Sequence, residues 1–309
     1  RAISGKGRVG AETRKLVLDY VEKHSYRPNA IAKSLAFSKT FNIAVVLPPE
    51  VDTAATPFFQ KALIGISEAA ACRDYDVLVT TASELDVNSL KRVTDNHKAD
   101  AFILTRSLFH DAPAELLKGL GVPFVVIGTT SDEEIIQIDN DVPEACCELT
   151  SLLIKTGLKS IALVVGSQEY IVNKARYDGF LKGFGDCGKT VDPTLVFTNS
   201  NNQSAIDGAV SRILEKKADC IIAGDDLICS RILTKLQSKG KNVPSDIKVA
   251  SFYNSFYLEN HNPPISCVNV DAKALGVIAA NTVLKLLSGK EVKRKITVPY
   301  EIVLKQSTS

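Results

Sequence analysis

ADCIIAGDDLICSRILTKLQSKG (218–240) holds both of the periods that decide the fold. Its first seven residues make a short run, apolar but for Asp219 and rich in Ile, as a strand covered on both faces must be. The next sixteen have helical spacing, open on two acids and close on Gly240, with Val243-Pro244 just beyond. The strand-like run recurs as FNIAVVLP (41–48), YDVLVTT (75–81), ADAFILT (99–105), PFVVIGT (123–129), SIALVVG (160–166) and IKVASF (247–252). Helical segments such as FFQKALIGISEAAACRD (58–74) lie between most of these runs. Alternation of this kind means an α/β fold with parallel, doubly wound sheets. The strands are too many for one small sheet, and their number divides near residue 157. The expectation is two Rossmann-like subdomains facing each other across a cleft. The first takes about 41–157 plus 271–289 and the second about 158–270 plus 290–309, so the chain crosses three times.

Composition sets the outer limits. A chain of 309 residues, 45% hydrophobic and 23% charged, is neither a stapled miniprotein nor disordered. The longest apolar stretch, LTSLLIKTGLKSIALVVG (149–166), is interrupted by Lys155 and Lys159, so no membrane span is expected. Seven cysteines at 72, 146, 147, 187, 220, 229 and 267 form no CxxC pair and read as reduced core thiols in a cytoplasmic protein. The vicinal Cys146-Cys147 pair, weighed as a metal or redox site, is read as core filling. The histidines at 24, 97, 110 and 261 add no ligand spacing, so neither a metal nor a cofactor is expected. GKGRVG (5–10) satisfies GxGxxG, but no strand precedes it, and neither GxSxG, HExxH nor a P-loop occurs. An enzyme is not expected.

Charge is uneven. Residues 1–40 hold nine Lys and Arg against three acids, a surplus of six, whereas the other 269 residues hold 28 against 32. A basic head on a slightly acidic body fits an anionic partner for the head alone, nucleic acid first. Within the head, AETRKLVLDYVEKH (11–24) spaces Leu16 and Tyr20, and Val17 and Val21, four apart, which makes a short amphipathic helix. Pro28 breaks it, and AIAKSLA (30–36) is helix-compatible but too short to be stable alone in water.

The head RAISGKGRVGAETRKLVLDYVEKHSYRPNAIAKSLA (1–36) resembles the end of the DNA-binding headpiece and the hinge of the lactose/galactose-repressor (LacI/GalR) family of bacterial transcription regulators. PFFQKALIGISEAAACRDYDVLV (57–79), ARYDGF (175–180), AGDDLICSRILTKLQSKGKNVPSDIKVASF (223–252) and NPPISCVNVDAKALG (262–276) resemble its effector-binding core. The resemblance implies a periplasmic-binding-protein-like clam, preceded by the remnant of an all-α helix-turn-helix headpiece and a hinge helix, with 1–40 as the DNA-binding part and 41–309 as the core. It further implies a homodimer that represses at double-stranded operator DNA under the control of a small-molecule effector. Arg1 falls on a position that can reach a major-groove base. Arg8 belongs to the same basic surface, and Thr13 stands where a helix N-terminus meets phosphate. Tyr26, Asn29 and Ala32 match groove-facing hinge positions, and Leu35 matches the leucine that wedges between base pairs.

For the cleft, the resemblance implies Phe58, Phe59, Tyr170, Arg176, Gln203, Asp225 and Tyr253 as effector contacts. Of the paired acids that open the helix after 218–224, Asp226 is expected to cap it while Asp225 faces the cleft. Tyr253 stands where the family commonly has an aspartate, and Gln203 where it has an aromatic. An effector smaller or more anionic than a neutral hexose is therefore expected, among sugars, sugar derivatives such as phosphates or acids, and nucleosides. The alternative is a periplasmic-type solute-binding protein of the same fold without DNA binding.

Overall fold

The computed structural model describes residues 9–24, 30–49 and 56–309, which fall into two compact units, Arg1–Phe41 and Asn42–Ser309. The smaller unit contains helix α1 (Ala11–Lys23) and helix α2 (Ala30–Phe37). α1 buries none of its residues: Leu16 and Tyr20, from the apolar face, are 74% and 64% exposed. In α2 the apolar Leu35 is 84% exposed.

In the larger unit, β1 (Asn42–Leu47), α3 (Pro57–Ala71), β2 (Asp76–Thr81), α4 (Asn88–Asp95), β3 (Ala101–Leu104), α5 (Ala112–Gly119), β4 (Phe124–Ile127) and β5 (Gln137–Asn140) alternate as the two periods require. They are followed by α6 (Val142–Lys155), β6 (Ile161–Val164), α7 (Ile171–Asp186), β7 (Val196–Phe197), α8 (Gln203–Glu215), β8 (Cys220–Ala223), α9 (Asp226–Ser238) and β9 (Lys248–Ser251). The chain ends in α10 (Phe256–Glu259), β10 (Ser266–Val270), α11 (Ala272–Leu287), β11 (Lys295–Val298) and β12 (Tyr300–Val303). Two six-stranded sheets result, ordered β11-β5-β4-β3-β1-β2 and β12-β10-β9-β8-β6-β7. Every pairing is parallel except β12 on β10. β3, β6 and β8 are buried along their whole length, which is why they read as unbroken apolar runs. Of the cysteines, only Cys72 is exposed, and Cys146, Cys147, Cys220, Cys229 and Cys267 are buried and free. No helix among the described residues is long and apolar enough to cross a membrane.

The three crossings are not all where the strand spacing places them. Helix α6 belongs with the second sheet, since Ala145, Cys146, Leu149 and Leu153 pack with Leu163, Phe180 and Ile222 in one cluster. The first crossing therefore falls at 140–142 rather than at 157. The strand count misses it because the partner of α6 is α7, an association that no local pattern records. β11 completes the first sheet and β12 the second, so the third crossing is at Pro299 and not at 289–290.

Helix α11 returns to the first subdomain and lies against α3 at backbone contact. A Cβ on Gly276 would stand 2.1 Å from the carbonyl oxygen of Ala62, and one on Gly65 equally close to that of Lys273. No rotamer change relieves a clash with backbone, so the helices would have to part. Gly276→Ala is accordingly expected to cost about 1–3 kcal/mol, a typical overpacking loss. Chemical denaturation would register this as a lower midpoint, and an unchanged midpoint would mean that the α3–α11 contact is not as close as described.

Candidate functional site

Strands covered on both faces leave only their carboxyl ends and the loops beyond for polar chemistry. In the second subdomain α7 follows β6 and carries Arg176, Asp225 follows β8 at the start of α9, and Tyr253 follows β9. In the first, α3 follows β1 and carries Phe58 and Phe59, while Asp139 lies near the end of β5. These residues converge where the two subdomains face each other.

The centre is the Arg176 guanidinium, whose side chain is 12% exposed. Its Nη1 donates to Asn173 Oδ1 at 2.9 Å and lies 3.7 Å from Asp225 Oδ2, while its Nε is buried without a protein partner. The cap of α9 is Asp225 and not Asp226, which is the first residue of the helix: Asp225 Oδ1 accepts the Ile228 amide at 2.9 Å, leaving Oδ2 toward Arg176. The next residue, Asp226, is buried, and that burial together with the charge of Asp225 lifts its carboxyl to about 6. Asp139 is also lifted to about 6 by burial, against the bond from the Thr129 hydroxyl at 3.0 Å and the attraction of Arg176. That attraction joins the two subdomains electrostatically.

Aromatic contacts close the same space. Phe58 meets the buried Tyr253 edge-on at 5.9 Å and Phe59 at 5.3 Å, so Phe59 reaches the group through Phe58. Burial raises the Tyr253 hydroxyl, and Asp226 adds to the effect. At a second point Arg106 sits over the Tyr170 ring, 4.7 Å from its centroid. Leu108 forms an isolated antiparallel bridge with Tyr170, and the Phe109 amide donates to the Glu169 carbonyl at 3.5 Å. Gln203, in contrast, is exposed and donates to Asp207 one turn along α8 at 2.7 Å, so its amide is engaged there instead of in the cluster. Four participants have no counterpart among the expected contacts: Asp139, Asn173, Arg106 and Asp226. For Asn173 the signal is its place three residues before Arg176, the spacing of neighbours on a helix face.

In the smaller unit, Thr13 is exposed in the first turn of α1, which begins after Gly10. The amide groups at that end are those a phosphate would use. Ala32 lies in α2, as does the exposed Leu35. Arg1, Arg8, Tyr26 and Asn29 lie outside the described residues.

The periplasmic-binding-protein-like domain family matches residues 150–308. The chain is 27% identical to the HTH-type transcriptional regulator RegA of Clostridium saccharobutylicum, over 97% of this chain and 91% of that one. It is 27% identical to catabolite control protein A of Priestia megaterium, over 100% and 94%. Among solved structures, the transcription regulator CcpA of Lactococcus lactis superposes with a TM-score of 0.77 at 25% identity, over 87% of this chain and 98% of that one. A complex of the regulator CelR with cellobiose superposes with a TM-score of 0.81 at 23% identity, over 99% and 94%, a likeness of fold.

The lifted carboxyl of Asp226 has a consequence for stability. Its folded value of about 6 lies above the ordinary 3.8, so the folded protein holds a proton that the unfolded chain releases as pH rises from 4 to 6. Stability from this group is present at low pH and is lost as pH climbs through 6. Asp226→Asn is expected to melt above the parent protein at pH 7.5, the difference shrinking toward pH 4.5. Thermal melts at both pH values check this, and a difference that does not change with pH would show Asp226 to be ordinarily ionised.

Proposed function

Because the chain belongs to the lactose/galactose-repressor (LacI/GalR) family of transcription regulators, we propose that its cleft binds a neutral, hydroxyl-rich effector and that this ligand governs repression at operator DNA. The protein is a DNA-binding regulator. The alternative of a solute-binding protein without DNA binding does not fit relatives that are regulators along the whole chain, head included.

One observation carries the effector reading: the Arg176 guanidinium, with Asp225 beside its Nη1, keeps its Nε buried and unpartnered. An acceptor oxygen from a ligand would satisfy Nε, and ligand hydroxyls would donate to Asp225 and Asp139. An anionic ligand would bring further negative charge beside Asp139, Asp225 and Asp226, two of which already resist ionisation. The carboxyl surplus thus favours sugars and nucleosides over the sugar phosphates and sugar acids among the candidates. Phe58 and Tyr253 offer apolar surface to the ring of either. The cellobiose held by the regulator CelR belongs to the same neutral class.

A ligand touching both walls prefers one cleft geometry and shifts the population toward it. In a homodimer, this change would alter the spacing of the paired hinges and so fold or melt α2, which at eight residues needs a docking surface to be stable. Leu35, exposed in the absence of DNA, suits a wedge into the minor groove. The protein is read as a cytoplasmic regulator with no reaction of its own.

Calorimetry with cellobiose, adenosine and glucose 6-phosphate tests the effector class. A neutral compound is expected to bind ahead of the phosphate, and Arg176→Ala should weaken binding by about 1.5–3 kcal/mol, roughly tenfold to a hundredfold. Preference for the phosphate would overturn the neutral reading. For the head, Leu35→Ala is expected to reduce operator bending without lowering the melting temperature in the absence of DNA. A loss of several degrees would mean that Leu35 fills a core.

A further inference from the structure

Asn173 is buried on α7, one turn before Arg176, and its amide is tied at both ends. Nδ2 donates to the Ser167 carbonyl at 2.9 Å, and Oδ1 accepts from Arg176 Nη1 at 2.9 Å. The backbone N–H of Asn173 donates to the Tyr170 carbonyl, also at 2.9 Å. The loop after β6 passes so close that a Cβ on Gly166 would stand 2.7 Å from Asn173 Nδ2. Chemistry leaves this amide one orientation. Turned over, it would set its NH2 against a guanidinium that only donates and its oxygen against a carbonyl that only accepts.

The guanidinium is therefore held from one corner. Asn173 engages Nη1, Asp225 lies near the same nitrogen at 3.7 Å, and Nε stays buried and unpartnered. We infer that Asn173 is a positioning residue for the effector site: by fixing Nη1 it aims Arg176 and reserves the Nε edge for a ligand oxygen. An arginine side chain is rich in rotamers, and one left free in the apo protein would have to be ordered at each binding event. Anchoring it beforehand removes that loss. The inference builds on the reading of the cleft as the effector site, but the geometry it asserts is measurable without an effector.

The measurement is 15N relaxation at the Arg176 Nε–Hε group in arginine-labelled protein, with the resonance identified by its loss in Arg176→Lys. An order parameter above about 0.8 is expected in the parent protein, as for a rigid group. Asn173→Leu removes both amide bonds, and the order parameter is expected to fall below about 0.6. Asn173→Asp keeps an acceptor for Nη1 but has no donor for Ser167, and is expected to retain the high value. A residue that merely braces the 167–170 loop would give the Leu and Asp variants equal losses, which would overturn the inference. So would an Arg176 that stays rigid in folded Asn173→Leu. Failure of cellobiose and adenosine to bind would instead strike the effector reading, leaving the anchoring geometry to stand on the relaxation data.

Discussion

Parallel strands covered on both faces force the polar chemistry of this protein to their ends. The inner strands of neither sheet can expose a face without unburying their Val and Ile, so a group there that must stay hydrated or meet a ligand has only the carboxyl edge to occupy. Arg176, Asp225, Tyr253 and Asp139 are all found there. A strongly donating guanidinium with an unsatisfied edge is tolerable at that border because two opposing walls and several carboxyls hold it, whereas in either core it would be prohibitive.

The same border explains what sequence reading recovers and what it misses. Seven strands are legible as apolar runs bounded by turn residues: burial selects that pattern in β1, β3, β4, β6, β8 and β9, whereas β2, an edge strand with only Thr80 buried, carries it without such cover. β5 is not legible: QIDN gives up its apolar pattern in order to deliver Asp139 to the cleft and Asn140 to the crossing. β12, an antiparallel edge with no buried residue, is invisible for a different reason, since half-covered strands carry weak patterns. Arg176 and Asp225 are legible through family resemblance, but Asn173 depends on a single rotamer and on a loop seven residues back. Gln203 is paired with Asp207, one turn on, and not with the groups around Arg176.

Cross-cleft contacts come in two kinds, and they do different work. The Phe58–Tyr253 edge contact and the Asp139–Arg176 attraction lie at the centre, where a ligand would compete with them or reinforce them. The Arg106–Tyr170 stack with its Leu108 bridge involves a separate pair of loops. Contacts across the cleft thus lie both at its centre and apart from it, and an effector acts through the difference in its affinity for two geometries. That division suits a regulator, whose output depends on a modest energy gap that can be crossed in either direction.

Asn140 supplies the last link. Its Nδ2 donates to the carbonyls of both Val298 and Pro299, at 2.8 and 3.0 Å, and so ties the first crossing of the chain to the third. Only Pro299 separates the end of β11 in one sheet from the start of β12 in the other. A connector of one residue, with φ fixed by its ring and its carbonyl pinned, has almost no slack in length but can still twist. The two sheets are thereby coupled like leaves on a pin: they can swing but cannot slide apart. A ligand that moved one sheet against the other would do so, at this crossing, by rotation and not by extension.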